Sequence, residues 1–470
     1  MKRITVLLIS MLLCLALFGS CGKIANVLPE ESQYAVTSAG AEDVNAATYA
    51  MIIESVDAFT TDNTSATKTD PSINTTKSPS KQEVIPTKTQ RFSTPAASAN
   101  DFAFRLSKVL LQNNGKQNFV SSPYSVWLPL AALVNATDAA NKPALLAALS
   151  ASGFSEKQLN DAAATMLHNL TGAGAREYEP EYPNPLCIAN AIFVDKKYTL
   201  NQSFKKTFAD SYQGSFQSVD FLSPSAVKTI NDWASKNTDG LIKNIVREFD
   251  PLTVAAIANA IYFSDRWSWE FDPSQTKKGT FHGTSGDTDA QFMLREGDKQ
   301  TYYEDEKIQA MPLQFKTGGG LYILLPKSGD ANALLSSMTS ARFEEIQNGS
   351  SYKTGKLLLP RFSIDSGIMN LVNTLKVLGV PLFDKDAAPL TGGLVQENID
   401  VFLASAVQEA VIKVDEKGTT AAAVTVMTME TTSMPLPTEP FSMVCDKPFA
   451  FVLYGNGGQI LFTGVVNQIN

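Results

Sequence analysis

Only two histidines occur in the 470 residues, and neither His168 nor His282 lies in a recognisable catalytic or metal-binding pattern. The chain also lacks an H-E-x-x-H zinc helix, a G-x-S-x-G nucleophile turn, a C-x-x-C pair and a phosphate-cradling G-x-x-x-x-G-K. A triad could still assemble from scattered residues, but nothing in the sequence points to one, so no catalytic residue, metal or cofactor is assigned. Cysteine is scarce as well. Of four, Cys14 and Cys21 fall near the N-terminus and only Cys187 and Cys445 lie in the body. A secreted disulfide scaffold carries a denser set, so this fold must rest on its core, and spacing leaves open whether Cys187 and Cys445 pair. Basic excess is absent too: 39 Lys and Arg against 47 Asp and Glu give a net charge of −8 with no basic stripe, which argues against nucleic acid as a partner.

Long apolar runs are confined to the start. Lys2 and Arg3 precede an apolar stretch from Ile4 to Phe18, which reads as a secretory signal too short for a comfortable membrane span. It ends in Phe18-Gly19-Ser20-Cys21, which resembles a bacterial lipobox, although Leu is the commoner first residue; an ordinary signal peptide is the alternative. The resemblance implies an exported lipoprotein attached through Cys21 to the outer membrane or cell surface, on its periplasmic or outer face. Residues 22–97 then read as a flexible tether, Thr-, Ser-, Lys- and Pro-rich over 60–97, with room for a local helix around 41–58.

From 98 to 470 the pattern is that of one large mixed domain. Phe102, Leu106, Val109 and Leu110 share a helix face, Ser122-Pro123 opens an apolar helix, and ANAIFVD, GLYILLP, VQEAVIKVDE and FAFVLYG read as strands. Gly455-Asn456-Gly457-Gly458 reads as a hairpin turn and the acidic stretch Glu304-Asp305-Glu306 as a solvated one.

The informative region follows VQEAVIKVDE. Residues 419–429, TTAAAVTVMTM, lack charge, Pro and Gly and suit a strand, yet they precede the Pro-bearing MPLPTEPF. Composition alone fits an ordinary edge strand with a Pro-rich linker. VIKVDEKGTTAAAVT, however, resembles the hinge of the serpin superfamily. The resemblance extends through FVSSPYSVWLPLAAL, LCIANAIFVD, SVDF, INDWASKNTDGLI, AIANAIYFSDRWSWEF, LLLPRFSI, PLFDKDAAPLTG, DKPFAFVLYG and FTGVVNQ, in the family's order.

That resemblance implies an α+β serpin fold: a large, mostly antiparallel central β-sheet A, two further sheets, eight or nine helices and an exposed reactive-centre loop. It also implies a suicide-substrate inhibitor of serine, and also of cysteine, endopeptidases. The protease forms an acyl-enzyme with the loop, and the cut loop enters sheet A as a strand. About a dozen residues span on the order of 40 Å, and at about 1 kcal/mol net per new hydrogen bond insertion releases more than about 10 kcal/mol. The hinge is Glu416, Gly418, Thr419, Thr420, Ala421, Ala422 and Ala423. Small side chains let it enter, and Thr419, Ala421 and Ala423 share one face. Ser122, Ser125, Asn259 and Gln408 correspond to the region where the sheet opens. Gln408 stands where relatives usually carry histidine, which puts a pH-sensitive opening in doubt. Trp267 and Arg361 correspond to the point at which the hinge enters, with Arg361 expected to pair with Glu416; Trp267 also fits plain core packing.

Counting from Glu416 places the scissile bond at Thr432-Ser433, whereas counting back from Lys447-Pro448-Phe449 gives about Pro437. Thr431, Ser433 and Met429 are alternatives. No Lys or Arg occurs between Gly418 and Asp446, so the implied target is an elastase-like or subtilisin-like protease rather than a trypsin-like one, and papain-like targets stay open. A monomer is expected. The rival readings are a non-inhibitory serpin-fold binding protein and a surface lipoprotein that acts by adhesion.

Overall fold

The computed structural model describes residues 45–55, 94–112, 114–172, 186–316, 318–418 and 440–469. The proposed lipid site Cys21, the hinge residues Thr419 to Ala423 and the bond Thr432-Ser433 lie outside them. Nine α-helices and two sheets are found among the described residues, in keeping with the α+β expectation.

The first sheet contains β1 (Asn45–Ser55), β3 (Leu186–Asp195), β4 (Gly214–Val219), β5 (Thr253–Phe263), β11 (Phe362–Asp365), β12 (Met369–Asn370) and β13 (Val401–Val414). Its order is β11-β13-β1-β5-β3-β4, with β12 also on β13. β5 reads TVAAIANAIYF and is buried along almost its whole length, as a central strand covered on both faces must be. β13 alternates between buried and half-buried residues except at Ala404 and Ser405, both half-buried. There the register against β1 skips a residue: Ile52 faces Ser405 and Ile53 faces Leu403, so Ala404 is bulged out.

The second sheet follows β14-β10-β7-β8-β9-β15-β16-β2, with β6 (Lys277–Gly283) on β7. In chain order these are β2 (Phe119–Ser121), β7 (Gly286–Glu304), β8 (Ile308–Gln314), β9 (Gly320–Pro326), β10 (Ser351–Pro360), β14 (Phe441–Val444), β15 (Phe449–Tyr454) and β16 (Ile460–Val466). The two further sheets that were expected are continuous here, because the long β7 carries β6 and β10 along its body and β8 at Tyr303 and Glu304.

Two helices set the core. In α1 (Pro95–Gln112), Phe102, Leu106 and Val109 are buried at helical spacing. α2 (Pro123–Leu133) is buried all round and starts with Pro at its first position, where the missing N–H costs nothing. Cys445 is a buried free thiol, so no bridge to Cys187 forms.

One expectation is corrected. Residues 45–55 lie inside the stretch read as tether, with room for a helix. They instead form β1, the strand between β13 and β5, antiparallel to both. Ala50, Met51 and Ile53 are fully buried there. The local sequence NAATYAMIIES satisfies either period, and the unmet backbone groups of two flanking strands decide in favour of the extended form. β1 covers β13 from Val401 to Val411 only, while β13 continues to Val414.

Candidate functional site: the hinge turn and the sheet slot

β13 ends in a tight turn, Asp415 to Gly418, closed by an antiparallel bridge between those two residues. The turn is pinned from the segment after β5. The Trp267 backbone N–H donates to the Lys417 carbonyl (3.0 Å) and the Phe271 N–H to the Glu416 carbonyl (2.8 Å). The Trp267 indole N–H donates to the Asp415 carbonyl (2.9 Å). Trp267 is fully buried and stacks on Phe315 with centroids 4.8 Å apart. The two roles weighed for it are therefore one, since the packing of the ring aims its N–H at the turn.

Glu416 points into the protein, its side chain 6% exposed, beneath a half-exposed Arg361. The guanidinium donates from Nε to both carboxylate oxygens (2.9 and 2.8 Å) and from Nη2 to Oε1 (2.7 Å). The Thr276 hydroxyl donates to the same oxygen. Burial pushes the Glu416 carboxyl up, but the hydrogen bonds from Arg361 and Thr276 outweigh it and hold the group below the ordinary carboxylate range.

Gly418 is required by geometry. Its φ is +117°, and an added Cβ would lie 2.6 to 2.7 Å from backbone atoms of Asp265, Arg266 and Trp267.

The region where the sheet should open is only partly gathered. The Gln408 side-chain oxygen accepts from Ser121 Oγ (2.8 Å) and the Ser122 N–H (3.1 Å), and its amide donates to the Ser122 carbonyl (2.7 Å) and Ser125 Oγ (2.9 Å). Asn259 does not join them. It donates to Asn190 Oδ1 (2.8 Å), and its own buried side-chain oxygen has no partner among the described residues. The reason is β1: Tyr49 stands between Gln408 and Asn259 in the register and separates the two strands. Ser121 and Thr276 were not singled out from the sequence. Ser121 could have been found from its adjacency to Ser122, whereas the approach of Thr276 to Glu416 across 140 residues left no local signal.

Residues 97–469 match the family model described as Serpin (serine protease inhibitor). The chain belongs to the serpin family. Serpin-Z4 of Hordeum vulgare is 30% identical over 383 residues, covering 78% of this chain and 94% of its own length. Alpha-1-antitrypsin 1-4 of Mus musculus is 29% identical over 377 residues, covering 79% and 88%. Among solved structures, the thermophilic serpin tengpin in its native state shares the fold with a TM-score of 0.67 at 22% identity, covering 80% of this chain and 94% of that one. Thyroxine-binding globulin in complex with thyroxine superposes equally well, with a TM-score of 0.66 at 23% identity, covering 80% and 99%. Protease inhibition is the general activity of the family, and the fold also serves a thyroxine-binding protein.

Two predictions follow from the hinge. Glu416 has a lowered pKa in the fold, so its stabilisation is complete above the unfolded carboxylate pKa and is lost as pH falls through the folded one. Glu416→Gln should therefore flatten the acid limb of a plot of Tm against pH and leave the slope near neutrality unchanged. Gly418→Ala should destabilise the fold by about 1–3 kcal/mol, read as a fall in the urea midpoint.

Proposed function

We propose that this serpin is a suicide-substrate inhibitor of serine endopeptidases, tethered to a membrane through a lipid on Cys21. The observation that carries the reading is the end of β13. There, a pinned turn closed by the Asp415–Gly418 bridge is followed in sequence by a charge-free run of small residues, Thr419 to Ala423.

Extended past Gly418, the antiparallel bridge between Asp415 and Gly418 would, after insertion, place Thr419 opposite Val414 and Ala421 and Ala423 opposite the buried Ile412 and Ala410. Small residues on that face are what a buried slot accepts. β13 has 14 residues, of which Ala404 is bulged out, leaving 14 − 1 = 13 pairing positions. Thirteen residues from Thr419 end at Thr431, opposite Val401. A cut at Thr432-Ser433 releases a strand that just fills this length, which supports the hinge count over Pro437. With Thr432 before the bond and no basic residue nearby, elastase-like and subtilisin-like proteases are the targets, and cysteine proteases are secondary ones.

A second reading has an observation of its own. β1 already fills the space between β13 and β5, so a loop that cannot displace it would be cut as a plain substrate. The protein would then be a non-inhibitory surface lipoprotein. Incubating the chain with an elastase-like protease and running denaturing electrophoresis separates the two. A complex that survives denaturant, with a released peptide beginning at Ser433, is expected. Clean cleavage without complex would sink inhibition. Ala421→Arg places a charge on the inward face and should convert the chain from trap to substrate, with cleavage retained and complex lost.

A further inference from the structure

We propose that residues 46–55 are an internal stand-in for the reactive loop: they hold the slot between β5 and β13 in the intact chain, and residues 422–431 replace them position for position when the loop is cut. This rests on the loop-insertion reading above and adds an occupant that must leave.

The case begins with direction. β1 runs antiparallel to both β13 and β5, the direction a strand folding back from the Asp415–Gly418 turn must also take. Register comes next. Extended past the same turn, the register would carry Ala422 opposite Val411, and Ala46 is opposite Val411 in the structure. The bulge at Ala404 belongs to β13, so it forces any strand lying there to make the same skip. Met429, Glu430 and Thr431 would therefore fall opposite Leu403, Phe402 and Val401, the partners of Ile53, Glu54 and Ser55.

Sequence then agrees with a register set by the backbone alone. AATYAMIIES in the slot stands against AAVTVMTMET in the loop, with no gap. Ala46, Ala47, Met51 and Glu54 meet an identical residue, four of ten positions, and β-branched residues or small apolar ones replace each other at three of the other six. The buried positions agree as well. Met51 and Ile53 lie in the main core, where Met427 and Met429 would follow them, and Ala50 lies in the cluster that includes Ile230 of the helix Pro224–Asn237, where Val426 would follow.

The two occupants differ where it matters. At the position of Tyr49, between Gln408 and Asn259, the loop has Thr425. Residues opposite each other on neighbouring strands share a face, so Thr425 would bring a short β-branched hydroxyl side chain to the level of Asn259, whose buried oxygen has no partner among the described residues. The stand-in would hold the slot until the loop is cut.

Hydrogen exchange on the full chain, before and after cleavage of the loop, tests this. In the intact protein the amides of 46–53 should exchange slowly and those of 422–431 quickly, and the order should reverse after the cut. Rapid exchange at 46–53 in the intact chain would overturn the proposal, as would slow exchange there in both states. If the order reverses but no protease is trapped, the inhibitory reading fails and the stand-in survives. Met51→Asp weakens the stand-in alone and should speed complex formation by about tenfold. An unchanged rate in a variant that still folds would count against displacement as the controlling step.

Discussion

Two strands that run the same way cannot be joined by a tight pairing of the kind a hairpin makes; they need an antiparallel strand between them or direct parallel contact. β5 and β13 are such a pair, and their backbone groups must be met on the inner side by something. In this protein that something is β1. The position of Asn259 away from Gln408, the burial of Met51 and Ile53 and the width of the first sheet all follow from its presence. The energetic character of the fold follows too. Adding a strand to an open sheet gains its whole ladder, about 1 kcal/mol for each net hydrogen bond. Exchanging one strand for another of equal length gains only the difference between their side chains. A serpin whose slot is already filled stores less energy in the uncut state, and its uncut state is correspondingly more secure.

The hinge turn shows how a charge can be placed at a mechanical pivot. A buried carboxylate is costly alone. Glu416 is held by a forked guanidinium above it and the Thr276 hydroxyl beside it, while its own carbonyl is taken by Phe271. With Trp267 gripping Asp415 and Lys417, the turn is fixed on both backbone and side chain, so movement must begin after Gly418.

Much of this was legible in the sequence. The family, the fold class, the end of β13, the Glu416–Arg361 contact and the gathering of Ser122 and Ser125 about Gln408 all stem from motifs that are contiguous or stand in a familiar order. β1 was not legible, for a physical reason. AATYAMII carries apolar residues that satisfy helical and extended periods alike, and its preceding and following residues look like tether. Its conformation is decided by partners more than 200 residues away, Ala255 to Phe263 and Val401 to Val411, and pairing of that kind leaves no local trace. Asn259 was misplaced for the same reason, since its separation from Gln408 depends on a strand that local pattern does not reveal.

β1 stops short of the end of its neighbour. Its pairing with β13 runs from Val401 to Val411, while β13 itself continues through Val414 to the turn. A strand folding back past Gly418 would therefore meet β13 first at this end and β1 only afterwards. On the proposed reading the cut loop would advance one residue for each residue that the resident gives up, as one nucleic-acid strand displaces another by branch migration. In such exchanges the quality of the match governs the endpoint, and here that match would be set by how the residues after Gly418 compare with those of β1.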